Sequence, residues 1–195
     1  MTTPKPDANS PASLQAPWRL EYLESLGAKE SEKAVGSFLR AYFLEPSRDI
    51  ENHVVARTAD TIVDSVSRRD GGMILLNAFP YANGHLLVAL GEARATLLDY
   101  DEAQRAALWR LVERAADLMR RTLQPQGLNI GINEGRAAGA GVPDHLHVHL
   151  VPRWGGDVNF MTVVGQVRVI PAALEAMARR YRDEMAKETN GQISK

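Results

Sequence analysis

A chain of 195 residues, 45% hydrophobic and 24% charged, can bury a sizeable core and fits one globular domain with short appendages. Lys plus Arg number 23 against 24 Asp plus Glu, so there is no bulk positive field for nucleic acid or an anionic membrane, and any anion must be caught locally. The absence of cysteine excludes disulfides, thiolate nucleophiles and thiolate zinc ligands together.

Met1 to Pro17 is rich in Pro, Ser, Thr and Ala without an apolar run, and reads as a flexible leader (residues 1–17), not a signal peptide. No segment approaches the ~20 apolar residues of a membrane span, so a cytoplasmic protein is expected. A helical segment follows (18–50), with helices over Trp18–Leu26 and Glu30–Leu44; the second ends before Pro46, because a residue preceding proline avoids the helical region. The third part, 51–190, changes texture. Thr61–Val66, Gly72–Asn77, His85–Leu90 and Leu128–Asn133 are short aliphatic or β-branched runs bounded by Gly, Asn, Pro and Asp, which predicts strands. Between the third and fourth lies a long helix, Asp101–Leu123, whose Leu108, Leu111, Val112, Ala115, Leu118 and Met119 form a core stripe. A closing helix is predicted over Pro171–Lys187. The order of elements indicates an α+β domain with a mostly antiparallel sheet. Ser65–Gly72, with Arg68, Arg69 and Asp70, reads as a polar hairpin turn.

Three of the five histidines fall within seven residues, His145-Leu146-His147-Val148-His149-Leu150-Val151. In an extended strand His145, His147 and His149 share one face while Leu146, Val148 and Leu150 fill the other. At roughly 3.3 Å per residue the outer imidazoles start about 13 Å apart, too far for all three to grip one ion through bonds of about 2 Å. A row of imidazoles suits something elongated, such as a polyphosphate. A neutral imidazole is a competent nucleophile towards an activated phosphate, and neighbouring rings that keep a proton can donate to its oxygens and the leaving group. The upstream connection, Asn133 to Val142, is rich in Gly and Ala, and the amides of Gly139, Ala140 and Gly141 can form an anion-binding concavity. His53 reads as a structural or surface residue. An His-x-His pair holding zinc, and hence a metal-dependent hydrolase, is a competing reading.

The His-x-His-x-His motif followed by two apolar residues, behind a glycine-rich loop, resembles the histidine-triad family of nucleotide hydrolases and transferases. The resemblance covers roughly Gly72 to Phe160 and implies a five-stranded antiparallel sheet, with the long helix between strands and a C-terminal helix. It implies His147 as the nucleophile taking the nucleotidyl group, His145 and His149 flanking it, and His85 of Gly84-His85 as a fourth imidazole. Asn77 then holds ribose hydroxyls and Asn133 contacts phosphate. The run Pro152-Arg153-Trp154-Gly155-Gly156 is similar to the bacterial branch that includes diadenosine tetraphosphate phosphorylases, with Arg153 a candidate phosphate contact and Trp154 a candidate base contact.

Two departures qualify the resemblance. Many relatives bind a structural zinc through Cys-x-x-Cys and histidines, where this chain has Ser37-Phe38-Leu39-Arg40 and Ala93-Arg94, so no structural zinc is expected. Members often carry a polar residue shortly before the triad, where this loop reads Ala140-Gly141-Val142. The expected activity is cleavage of dinucleoside polyphosphates, with no cofactor beyond magnesium carried by the substrate. Alternatives are hydrolysis of nucleoside phosphoramidates or other nucleotide conjugates, and a nucleotide-binding regulator that has lost turnover. The expected partners are a small nucleotide and a second copy of the chain in a homodimer, for which Trp18, Phe38, Tyr42 and Phe43 are candidate interface aromatics.

Overall fold

The structure, a computed structural model, describes residues 37–63, 66–157 and 172–189. All of them lie in the unit Val35–Lys195. In chain order they form α1 (Phe38–Leu44), β1 (Val54–Thr58), β2 (Thr61–Val63), β3 (Val66–Arg68), β4 (Gly72–Leu76), β5 (Leu86–Leu90), α2 (Glu102–Leu123), β6 (Gly127–Ile132), β7 (Val148–Arg153) and α3 (Leu174–Thr189). Five strands make one antiparallel sheet in the order β1-β4-β5-β7-β6, and β2 and β3 form a separate hairpin. This is the α+β architecture expected.

Strands β4 and β5 are buried along their whole length, and their alternation feeds two cores. Ile74, Leu76, Leu86, Val88 and Leu90 pack with the α2 stripe and with Met177, Ala178 and Tyr181 of α3. Met73, Leu75, Leu87 and Ala89 point the opposite way and receive Leu39 of α1. Continuous aliphatic runs are the signature of strands covered on both faces. On the α1 side the backbone comes close enough that a Cβ on Gly91 would stand 2.2 Å from the Phe43 ring, so only glycine lets that ring lie down. Arg57 of β1 holds the far end of α1, donating to the carbonyls of Phe43 (3.0 Å) and Tyr42 (2.6 Å) while pairing with Asp49.

Helix α2 begins where predicted, because Asp101 and Gln104 form a capping box, and it ends at Gln124 in the left-handed region. Helix α3 starts at Leu174; Pro171 lies outside the described residues, as does the helix predicted over Trp18–Leu26. It is tied to α2 by Arg121–Glu184 (2.9 Å) and to β1 by Arg182 Nε donating to the Val54 carbonyl (3.0 Å). Among the described residues no helix is long and apolar enough to cross a membrane.

Two expectations are corrected, and one strand is new. The strand predicted over Thr61–Val66 is split into two strands of a hairpin. Asp70 closes its base by accepting from the Thr61 amide (2.7 Å) and hydroxyl (2.8 Å). Strand β1 was not predicted: its register shifts between Val54 and Ala56, and a bulge destroys the two-residue alternation that reveals a strand. The helix expected over Glu30–Leu44 has Ser37 in an extended conformation as the N-cap of α1, so residues 38–44 form their own helix.

Candidate active site

Register places the imidazoles. Leu87 of β5 pairs with His149 of β7, so His85, two residues before Leu87, lies diagonally across from His149 on the same face. Their rings meet through His85 Nε2 and His149 Nδ1 at 3.0 Å. The His147 ring stands edge-on to His149, with centroids 4.9 Å apart. Tyr81, from the loop between β4 and β5, stacks on His149 at 5.7 Å and lies 4.8 Å from His85. Asn77, at the end of β4, brings its Nδ2 to 3.3 Å from His85 Nδ1.

Obligatory donors and acceptors assign the protons on these rings. The Tyr81 amide can only donate, and it points at His85 Nδ1 from 3.1 Å, so His85 carries its proton on Nε2. That Nε2–H donates to His149 Nδ1, which puts the His149 proton on its own Nε2. The His145 carbonyl can only accept, and His147 Nδ1 donates to it at 2.9 Å. His147 is therefore left with its lone pair on Nε2. Burial pushes its pKa down, opposed by the hydrogen bond to the His145 carbonyl, so the neutral form dominates at pH 7. The result is one imidazole with a bare Nε2 beside another that carries a proton there.

His145 does not extend the row as alternation predicted. Sheet pairing in this strand begins at Val148, and the Leu146 amide donates to the Arg94 carbonyl at 2.7 Å. The His145 ring instead enters the core, fully buried, with Nε2 donating to the Leu90 carbonyl at 2.7 Å and Nδ1 accepting from the Ser37 hydroxyl at 2.8 Å. Burial lowers its pKa to about 4. Sequence reasoning did not anticipate Ser37 or Tyr81 as neighbours of these rings. Tyr81 carried a faint signal, an aromatic residue between Asn77 and His85.

Upstream of the triad, Arg136–Ala138 makes a single 3-10 turn between Gly135 (φ +80°) and Gly139 (φ +85°), left-handed positions that suit glycine. The amides of Gly139 and Ala140 close this loop on itself, donating to the carbonyls of Arg136 (2.9 Å) and Gly135 (3.2 Å). Gly141 follows, and Val142 packs against the core cluster that holds Leu39. Asn133 is half-buried just beyond β6. Gly131 pairs with His149, and a Cβ there would meet nothing within 4 Å, so the sheet beside His149 is open. Arg153 lies two strand steps on from His149. Its guanidinium holds Asp157 through Nε (2.6 Å) and Nη2 (2.8 Å) and Asn129 through Nη1 (2.8 Å). That pairing takes the Asp157 pKa down to about 2. Trp154 is half-buried next to it, its amide 3.3 Å from Asp157.

A family model described as HIT domain matches residues 63–156. An AP-4-A phosphorylase of Mycobacterium tuberculosis is 34% identical over 176 residues, which cover 90% of this chain and 85% of that protein. A bis(5'-nucleosyl)-tetraphosphatase [asymmetrical] of Schizosaccharomyces pombe is 33% identical over 84 residues, 43% of this chain and 46% of its own. Among solved structures, a zinc-bound histidine triad family protein from Mycobacterium smegmatis superposes with a TM-score of 0.59 at 26% identity, covering 80% of this chain and 99% of that one. The residues around His145 do not fit a zinc ion. Arg40, which donates to the Gly91 carbonyl at 2.5 Å, acts on His145 as a nearby cation and has no lone pair to offer a metal. Both ring nitrogens of His145 are engaged, Nδ1 by the Ser37 hydroxyl and Nε2 by the Leu90 carbonyl.

Proposed function

The chain belongs to the histidine-triad family, and on that premise we propose that it cleaves dinucleoside polyphosphates through a nucleotidyl-histidine intermediate. The observation that carries this reading is the proton arrangement, which leaves Nε2 of His147 bare and Nε2 of its neighbour His149 protonated. Nε2 of His147 attacks the α-phosphorus, the bond from that phosphorus to the bridging oxygen breaks with its electron pair leaving on the oxygen, and the His149 Nε2–H hydrogen-bonds that oxygen while keeping its proton, so the polyphosphate departs as an anion. The His145 carbonyl stabilises the charge gained by His147 through the Nδ1 proton it already holds. An acceptor then attacks the phosphorus, the P–N bond breaks, and neutral His147 is restored.

In this reading Asn77 holds the ribose and Asn133 a phosphate oxygen. The loop at Gly139, Ala140 and Gly141 wraps the phosphates once its internal hydrogen bonds open. Arg153 and Trp154 lie at the outer end of the same strand. Inorganic phosphate is the acceptor favoured by the likeness to a phosphorylase over 90% of the chain. We further propose that no structural zinc is needed, since Ser37 and the Leu90 carbonyl engage both ring nitrogens of His145 and Arg40 is a cation nearby. A homodimer belongs to the same proposal, supported by the exposed edge strand β6, where Ile130 is 44% exposed.

A second reading has its own support. The amides of Gly139 and Ala140 are spent inside the loop, and no polar side chain stands at Ala140-Gly141-Val142, as befits a nucleotide-binding regulator. Incubation with diadenosine tetraphosphate, with and without inorganic phosphate, separates the readings. ADP plus ATP signals phosphorolysis, and AMP plus ATP, or ADP alone, signals hydrolysis. Tight binding without any product would establish the regulator.

A further inference from the structure

The Ser37 hydroxyl reaches His145 across 108 residues of sequence, and its hydrogen-bonding capacity matches what it meets. A hydroxyl has one proton to give and lone pairs to accept with. Ser37 accepts from the Leu39 amide at 3.2 Å, as the N-cap of α1, and gives its proton to Nδ1 of His145 at 2.8 Å. The other ring nitrogen donates to the Leu90 carbonyl, so both nitrogens of a fully buried imidazole are engaged and the ring can neither flip nor exchange tautomers without orphaning a polar atom. The same residue's carbonyl holds the Nδ1 proton of His147.

We propose that Ser37 is a positioning residue for the nucleophile. By fixing the ring and backbone of His145 it keeps the His145 carbonyl aimed at Nδ1 of His147, and so keeps the His147 lone pair on Nε2. The proposal rests on the reading of His147 as nucleophile. Helix α1 presents the hydroxyl, and that helix is held independently of it. Leu39 is fully buried among Met73, Leu75 and Leu87, and Arg57 grips the carbonyls of Phe43 and Tyr42. Removing the hydroxyl therefore leaves the helix docked and acts on the ring.

The test uses the full chain as Ser37→Ala and Ser37→Thr, with steady-state kinetics on diadenosine tetraphosphate and ¹⁵N NMR of the histidine rings. In Ser37→Ala the expected results are a fall in kcat of about tenfold or more, as for other partners that orient an active imidazole, with KM within about twofold. The His145 nitrogens should lose the pattern of a single Nε2–H tautomer. Ser37→Thr, which keeps the hydroxyl, should restore both. Wild-type kcat in Ser37→Ala with unchanged His145 resonances overturns the proposal. So does a Ser37→Thr variant no better than Ser37→Ala when both melt at the same lowered temperature, since that marks a purely structural cap. His147→Ala measured alongside reports on the nucleophile itself. If it kept turnover that reading would fail, whereas the His145 resonances judge the Ser37 contact separately.

Discussion

Nδ1 of His147 donates to the carbonyl of His145, its neighbour but one, at 2.9 Å. A main-chain carbonyl cannot give up a proton, so this contact sets the direction of the His147 imidazole more firmly than another side chain could. Of the two histidines, one offers its ring and the other its backbone to this contact.

Replacing His147 by Ala should remove turnover while nucleotide binding survives, because the ribose and phosphate contacts proposed for Asn77 and Asn133 do not involve that ring. Loss of a covalent nucleophile costs several orders of magnitude in rate. Turnover by the variant close to that of the parent protein would show that another group attacks.

The pH dependence of kcat/KM should carry an acid limb. His147 must be neutral to attack, and burial lowers its pKa, so in the free enzyme the limb should lie below about pH 6.5, the ordinary histidine value. A bound polyphosphate favours the protonated ring, so the limb in kcat should stand at higher pH than the limb in kcat/KM. Because His85, His147 and His149 are in contact, the apparent pKa belongs to the cluster. A profile flat from pH 4 to 9, with chemistry rate-limiting, would exclude an imidazole nucleophile.

Stability should follow the first triad histidine. In the folded protein the His145 pKa is depressed to about 4 by burial, against about 6.5 in an unfolded chain. Above pH 6.5 both states are neutral and the group has no effect. As pH falls from about 6.5 towards 4 the unfolded state takes up a proton that the native state refuses, so stability is lost across that window, by at most about 3 kcal/mol. Urea unfolding at pH 7 and pH 4.5 measures the loss. His145→Asn, which cannot titrate, should flatten the difference, and an equal loss in the variant would assign it to other groups.

Purified protein should hold no stoichiometric zinc, and prolonged chelation should leave its melting curve unchanged, since both nitrogens of the ring that a zinc ion would require are already engaged by Ser37 and the Leu90 carbonyl. Elemental analysis returning one zinc per chain that survives dialysis would contradict this directly.

What the sequence revealed and concealed has physical causes. Helix α2 was legible because its capping box and its apolar stripe are both local patterns. Strands β4 and β5 were legible because their aliphatic runs are long enough to bury on both faces. Strand β1 was hidden by its bulge. His147, His149 and His85 were legible as a group, whereas the departure of His145 was not. Alternation assumes continuous pairing, and the Leu146 amide leaves the sheet for the Arg94 carbonyl. Ser37 was visible only as a residue standing where relatives carry cysteine, since a contact over 108 residues leaves no local trace.

That separation also orders events during synthesis. Leu39 can find its seat once β4 and β5 have emerged, but the hydroxyl two residues before it must wait for His145. At 5–20 residues per second the intervening 108 residues take roughly 5 to 20 s to translate. From the completion of β5 at Leu90 until His145 is made, the nascent chain can carry α1 docked on β4 and β5 while the imidazole that meets the Ser37 hydroxyl does not yet exist.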